Sequence, residues 1–389
     1  MLVDCIENPE RLAALGAEWD RLLELSPRPS VFLSWPWVSS WWEVAGEGKR
    51  LAVVTVRESD GRLIGLLPTC ISKRIAFRSL SIRALKFLGQ GEGMAADHVD
   101  LLAEPARAAD VAQALAGWLS GPRRGWDTLE LIAVGPDSNV VRHLAPQLAA
   151  RGLDRRTLTL HSRCPYLPVP ADMESFWSGL SYGFRKNLRR YRRKVEQAFK
   201  VEVSRCERPE DLSGAMSELA RLHNQRKSQQ GLPPKFEDPR YLRFHELVAA
   251  RMQKLGRLAL YSLKLNGRTA AVEYGFRYAG VLYEYQTGFD SEFEDYGVMN
   301  ILDTHIIEQA IAEGLTEIDL LRGEEAYKHH WTKTAREQMA LIVESQTPRG
   351  LLHRAFRTVL GRMGAWHPPS AIESPAPRAA GPAGGTPGG

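Results

Sequence analysis

The 389-residue chain is long enough for two domains of ordinary size, with the hydrophobic (44%) and charged (25%) fractions of a globular protein. A formal charge of +5 and a pI of about 9.0 favour anionic ligands without pointing to nucleic acid. No secretory leader pattern is visible, no apolar run approaches the ~20 residues that span a bilayer, and Cys5, Cys70, Cys164 and Cys206 are too scattered for a disulfide framework or a zinc site; the expectation is a cytoplasmic protein with no metal.

In the first half, Pro9–Leu25 reads as one helix, with Leu12, Leu15, Trp19, Leu22 and Leu23 on its apolar side. An aromatic cluster follows: Phe32, Trp35, Trp37, Trp41 and Trp42, either a packed helix face or a stacking platform. Leu51–Val56, the turn Ser59-Asp60-Gly61 and Leu63–Ile71 read as strand, turn, strand, and Lys73–Arg83 as a basic irregular stretch. Gly89-Gln90-Gly91-Glu92-Gly93 is glycine-rich but lacks the Lys-Ser/Thr ending of a P-loop, so it reads as a surface or gating loop ahead of a nucleotide site. Asp97-His98 reads as a turn into a strand at Val99–Leu102, since no further metal ligand is nearby. A helix at Val111–Leu119 and a strand at Thr128–Ala133 complete this half, and Asn139–Leu148 (helical) with Thr157–Leu160 (extended) leads to the second.

The next segment is basic. On a helix, Arg185, Arg189, Arg192 and Arg193 share one side, with Lys186 and Arg190 beside it: a solvated face, a phosphate clamp, or a docking surface for an anionic partner. Helices at Pro209–Gln229 and Pro239–Met252 flank a polar loop. A three-strand meander then runs through Leu258–Leu265, Thr269–Phe276 and Val281–Thr287, with Asn266-Gly267 and Ala279-Gly280 as turns. The acidic loop Asp290–Gly297 opens a helix that ends at Gly314, and Glu317–Leu321 is a further strand. After Trp331 come a last strand, Met339–Glu344, a basic helix, Leu351–Met363, and a Pro/Ala/Gly/Ser tail that is expected to be disordered.

Two repeats stand out. Strand, Asp60-Gly61-Arg62, strand matches strand, Asn266-Gly267-Arg268, strand; helix, glycine-rich break, Trp126-Asp127-Thr128-Leu129-Glu130-Leu131 matches helix, Gly314, Leu315-Thr316-Glu317-Ile318-Asp319-Leu320. This reads as a divergent duplication. Strand, strand, loop, helix, strand in the second half resembles the core of the GNAT acyltransferase fold. Gly288-Phe289-Asp290, Gly297, Asp319-Leu320-Leu321-Arg322-Gly323, Tyr327-Lys328 and Trp331 together resemble the cellulose-biosynthesis CelD type, distant relatives of the Fem peptidyltransferases. The resemblance implies an α/β (α+β) fold of tandem GNAT-like domains, each a mixed, mostly antiparallel sheet flanked by helices. The expected divisions are 1–165, a degenerate half; 166–350, the acyltransferase half; 351–366, a basic helix; and 367–389, the tail.

It also implies an acyltransferase that uses acyl-CoA (acetyl-CoA) as co-substrate. The acceptor would be an amine or hydroxyl of a sugar or peptide precursor, in extracellular polysaccharide or cell-envelope assembly. The alternatives are Fem-like transfer from aminoacyl-tRNA and a non-catalytic module recruited to an envelope synthase or a membrane surface; sequence-specific nucleic acid is not an expected partner. In this frame Tyr296, Gly297, Val298, Met299 and Asn300 take the place of the donor's pyrophosphate loop, although only Gly297 of its usual basic, glycine-rich pattern is kept. By resemblance Lys328 stabilises the oxyanion or a donor phosphate. Glu273, a carboxylate in mid-strand, is either a general base or salt-bridged. Asp319 is either catalytic or paired with Arg322, and Tyr285 is either the acid to the leaving thiolate or core packing. Arg185, Arg189, His223, Arg226, Arg322 and Tyr327 are the substrate-binding candidates.

Overall fold

The computed structural model describes residues 1–77, 80–121, 125–153 and 156–362; Met363 and the expected tail lie outside them. Among the described residues the chain divides into two compact units, Met1–Ser162 with Glu337–Arg362, and Arg163–Arg336.

The first unit begins with β1 (Leu2–Ile6), α1 (Pro9–Ala14), α2 (Gly16–Glu24), α3 (Trp35–Ala45), β2 (Arg50–Leu51), β3 (Val53–Arg57) and β4 (Leu63–Leu67). It continues with β5 (Thr69–Phe77), β6 (Leu80–Phe87), β7 (Leu102–Ala103), α4 (Ala108–Ser120), β8 (Thr128–Val134), α5 (Ala145–Ala149) and the first part of β9 (Arg156–Pro168). The second unit holds the end of β9, then α6 (Met173–Gly179), α7 (Tyr182–Ala198), β10 (Val201–Arg205), α8 (Leu212–Gln229), α9 (Pro239–Lys254), β11 (Leu258–Leu265) and β12 (Arg268–Tyr278). Then come β13 (Val281–Phe289), α10 (Val298–Ala312), β14 (Glu317–Asp319) and α11 (Lys328–Trp331); β15 (Ala335–Glu344) and α12 (Pro348–Arg362) return the chain to the first unit.

In the first unit β1-β3-β4-β7 form one antiparallel sheet, and β2, β5, β6, β8 and β15 follow one another in a second. The second is antiparallel except at β6–β8, where α4 makes the crossover that a parallel pair requires. The aromatic cluster is core: Trp19, Trp37 and Trp41 are fully buried, and Trp37 Nε1 donates to Gly89 O (3.2 Å). The glycine-rich loop is thus fastened from below, and a Cβ at Gly89 would come within 2.8 Å of the Trp37 ring.

Four local expectations are corrected. The single first helix is two, because the chain turns at Leu15 and Gly16 lies against the Trp35 ring, where a Cβ would sit 3.0 Å away. Leu63–Ile71 is two strands in different sheets, parted at Pro68, which has no N–H to continue a ladder. Lys73–Arg83 is no irregular stretch: its ends lie in the β5–β6 ladder, which runs from Thr69–Phe87 to Phe77–Leu80. The strand expected at Val99–Leu102 shrinks to Leu102–Ala103 after a turn at His98 (φ 53°).

The second unit's sheet runs β10-β11-β12-β13-β14-β9 and is antiparallel except for β13–β14, which α10 connects. It repeats the plan of the first unit: a parallel pair, a helical crossover, and an antiparallel strand beyond. Asn266 (φ 50°) and Gly267 (φ 82°) make the turn that the sequence demanded, and Ala279 (φ 49°) with Gly280 (φ 79°) makes the next. Tyr261, Leu263 and Ala271 pack with Leu302 and Ile306 of α10, while Tyr274 packs against His245 of α9 from the opposite side of the sheet.

Candidate active site

The β13–β14 ladder is short. It pairs Val281 with Glu317, Leu282 with Ile318 and Tyr283 with Asp319, and there it ends, while β13 runs on to Phe289. Two features part the strands. On β13 the register against β12 slips between Tyr274–Gln286 and Gly275–Glu284, so Tyr285 is the extra residue of a β-bulge that bends the strand. On the other side the chain stays with β9 past the end of β14: Leu320 N–H bonds to Pro165 O (3.0 Å), the next position of the β14–β9 register, and Leu321 then adopts φ 56°. The strand expected at Glu317–Leu321 therefore stops at Asp319. From Glu284 to Phe289, β13 has no ladder to β14, and the two strands part there.

Asp319 and Lys328 hold the departing turn. Asp319 is fully buried; it accepts from Leu321 N–H (2.8 Å) and from Arg336 (3.0 Å), whose guanidinium also grips Glu317 (2.6 Å). Lys328, 1% exposed, donates to the carbonyls of Leu321 (3.1 Å), Arg322 (3.0 Å) and Gly323 (3.2 Å) and pairs with buried Glu325 (2.9 Å). An ammonium has three N–H donors, and here they point at backbone carbonyls and a carboxylate rather than into the gap. Gly323 (φ 112°) tolerates Glu325 close by: a Cβ would lie 2.5 Å from its carboxylate. Trp331 anchors α11 against Phe184 (4.8 Å), Tyr327 packs at the core edge, and Arg322 is buried at the turn.

The far end of β13 meets the end of α8 and the loop before α10. Gly288 lets α8 approach, since a Cβ there would lie 2.7 Å from His223 N and 2.8 Å from Leu222. Burial, then the nearby Lys227 charge, push the His223 imidazole down to about 4, so it is neutral at pH 7. Arg226 stacks on Phe289 (4.8 Å) and lies 3.8 Å from Glu294. In the loop, Arg268 pairs with Asp290 and with Glu292, and Lys194 donates to the backbone O of Asp295 (3.2 Å) over the Tyr296 ring. Gly297 takes φ 62° and lies face to face with Tyr191 of α7, whose ring would be 2.6 Å from a Cβ. Val298 and Met299 are buried and Asn300 is half-buried in the first turn of α10.

The structure therefore places Asp319, Arg322 and Lys328 at the turn after β14, Tyr285 at the bulge of β13, and His223, Arg226 and Tyr296–Asn300 at the end of β13. Tyr285 packs among His245, Tyr274 and Phe276. Glu273 is buried in mid-sheet between Tyr261 and Thr287 of the neighbouring strands. Arg185 and Arg189 lie apart, donating to Trp177 O (3.0 Å) and stacking on the Trp177 ring (6.0 Å) respectively. Sequence reasoning passed over Arg336, Glu325 and Gln286, which donates to Tyr241 (3.0 Å). Only Gln286 carried a signal, a polar residue inside an apolar strand. Among the described residues no group of three or more His, Cys, Asp and Glu side chains is placed to hold a metal, and no helix is long and apolar enough to cross a membrane.

Comparison with known proteins accords with this geometry. No curated protein matches the chain. Among solved structures it is similar to FemX (TM-score 0.60, 10% identity, covering 87% of this chain and 97% of that one). It is also similar to L-PGS from Bacillus licheniformis (0.50, 12%, 92% and 98%) and to a tandem GNAT protein from the clavulanic acid biosynthesis pathway (0.50, 12%, 89% and 99%). At these identities the likeness is one of fold, and it extends over both units. Residues 183–329, which contain β13, α10, β14 and the turn after it, match the family model described as the acetyltransferase (GNAT) domain, and the fold of the chain is similar to that of a tandem GNAT protein.

Proposed function

We propose that the chain is an acyltransferase whose acyl donor lies in the gap between β13 and β14. The observation that carries this is the end of the ladder at Tyr283–Asp319 with β13 running on to Phe289. The strand's amide edge is a template for an extended arm bearing amides of its own, such as pantetheine, which adds as a short strand. The backbone N–H groups at Val298, Met299 and Asn300, with the positive end of the α10 dipole, suit the donor's phosphates. Acyl-CoA is the donor that has both parts.

In this reading the bulge places a backbone N–H against the thioester carbonyl, where charge develops. Tyr285 protonates the leaving thiolate, and Glu273 takes the proton of the attacking amine or hydroxyl. Lys328 and Asp319 are positioning residues that fix the turn and keep β14 away from β13. His223, Arg226, Arg322 and Tyr327 face the acceptor, and Arg185 and Arg189 draw anionic substrate. A sugar or peptide precursor of extracellular polysaccharide or cell envelope is the acceptor class, supported by resemblance to the CelD and Fem groups. Calorimetry with acetyl-CoA and then longer acyl-CoAs tests this. Saturable binding that Gly297→Glu abolishes is expected, and failure of every acyl-CoA to bind overturns it.

One observation favours a second donor. The loop ahead of α10 is acidic and Tyr191 covers Gly297, so a donor without a pyrophosphate, such as an aminoacyl-tRNA 3′ end, meets less resistance there. Binding of charged tRNA without any response to CoA would select it.

A further inference from the structure

A second cavity adjoins the proposed donor site, with Arg189 and Asn300 among its lining residues. It is a cleft of about 360 Å³ between α7, α10 and β10, the edge strand of its sheet, and none of β13 or β14 lines it. Small-molecule sites begin near this size. Its floor is apolar: Leu188 and Val195 of α7, Val201 and Val203 of β10, and Ile301 of α10. The two valines and Ile301 are only half-buried, so the edge strand presents an apolar strip to solvent.

One rim is cationic. Trp177 lines the cleft with the Arg189 guanidinium over its ring. Lys186, Arg190 and Arg193 follow on the same helix, and no carboxylate within salt-bridge distance is found for these or for Arg189 among the described residues. Of the two carboxylates lining the cleft, Glu196 is bound to Arg192 (2.9 Å) and Glu308 stands on the α10 wall. An apolar floor beside an uncompensated guanidinium suits a ligand with an anionic head and a hydrocarbon chain.

We propose that this cleft binds a single-chain acidic amphiphile, an alkyl phosphate or a fatty carboxylate, with its head on Arg189 and its chain along Val195, Val203 and Ile301. The test uses decyl phosphate brominated at the chain end, below its micelle concentration, as a quencher of tryptophan fluorescence. Saturable quenching is expected in wild type, and the part carried by Trp177 should be lost in Trp177→Phe. Arg189→Gln and the cleft-filling Ile301→Phe should each weaken binding by about tenfold or more. Circular dichroism checks that both fold, and Val203→Leu is the milder filling variant. Vesicles of phosphatidylglycerol separate sources: quenching by chain-brominated lipid as well as by the monomer makes a membrane lipid one source, and quenching by the monomer alone makes it a free amphiphile. Displacement by inorganic phosphate at equal concentration, indifference to both filling variants, or binding to vesicles with none to the monomer would overturn the proposal in favour of simple charge attraction to α7.

Discussion

Replacing Lys328 with methionine separates a positioning role from a chemical one. The side chain keeps its length and apolar stem but loses the ammonium, which in the native protein meets three carbonyls and Glu325 in a site 1% exposed. The loss strands the Glu325 carboxylate, itself 8% exposed, beside carbonyls that share its sign of charge. Breaking a buried pair from one side costs about 3–5 kcal/mol. Lys328→Met should therefore lower unfolding stability in urea by roughly that amount. Lys328→Met/Glu325→Leu, which removes both charges, should recover most of the loss, because the larger cost is the orphaned carboxylate. Donor binding should weaken in the single variant in step with its stability and return in the double. A Lys328→Met protein within about 1 kcal/mol of wild type, a surface-like change, yet dead in transfer, would refute this reasoning and give the lysine a direct part in the chemistry.

Other consequences follow from the same geometry. Gly288→Ala drives a methyl against His223 N and Leu222, so it should cost about 1–3 kcal/mol by overpacking and weaken acceptor binding as α8 shifts, read by thermal melting and by acceptor titration. Arg336→Met should destabilise by a few kcal/mol, as buried Asp319 loses its cation, whereas Asp319→Asn, which keeps an acceptor for Leu321 N–H, should cost less; equal losses would contradict the assignment. In the first unit, burial raises the Asp100 carboxyl from its ordinary 3.8 to about 7, against the opposing effect of N–H groups from Asn139 (2.7 Å) and Val140 (2.9 Å). The folded state holds that proton to higher pH than the unfolded chain. Its contribution to stability is thus full below about 4 and is lost as pH rises through about 7. Asp100→Asn should flatten the fall of melting temperature over that window, and parallel profiles would count against it.

The turns were legible because their backbone needs select residues: Asn266-Gly267 and Gly314 read correctly since few other residues tolerate positive φ. The helix after the acidic loop and the parallel strand beyond it were legible for the same reason, and with them the GNAT order. The extent of β14 was not legible. Leu320 and Leu321 are as β-prone as Ile318; Leu320 still bonds to β9 at Pro165, and the left-handed backbone at Leu321 (φ 56°), which a leucine does not announce, ends the strand. Lys328 was conspicuous in sequence, but its partners are carbonyls, which sequence does not display. Arg336 escaped notice because its partners, Glu317 and Asp319, lie 19 and 17 positions back. The stretch Lys73–Arg83 looked irregular from its polar residues, although two-stranded pairing asks only for backbone groups.

The central claim is that the acyl donor occupies the edge of β13 beyond the end of its ladder with β14. Amide hydrogen exchange across 284–289, with and without saturating acetyl-CoA, tests it most directly. The account predicts slowed exchange in that segment and in the first turn of α10, with the β12 ladder unchanged. Acetyl-CoA binding that leaves those amides exchanging as in the free protein would contradict it.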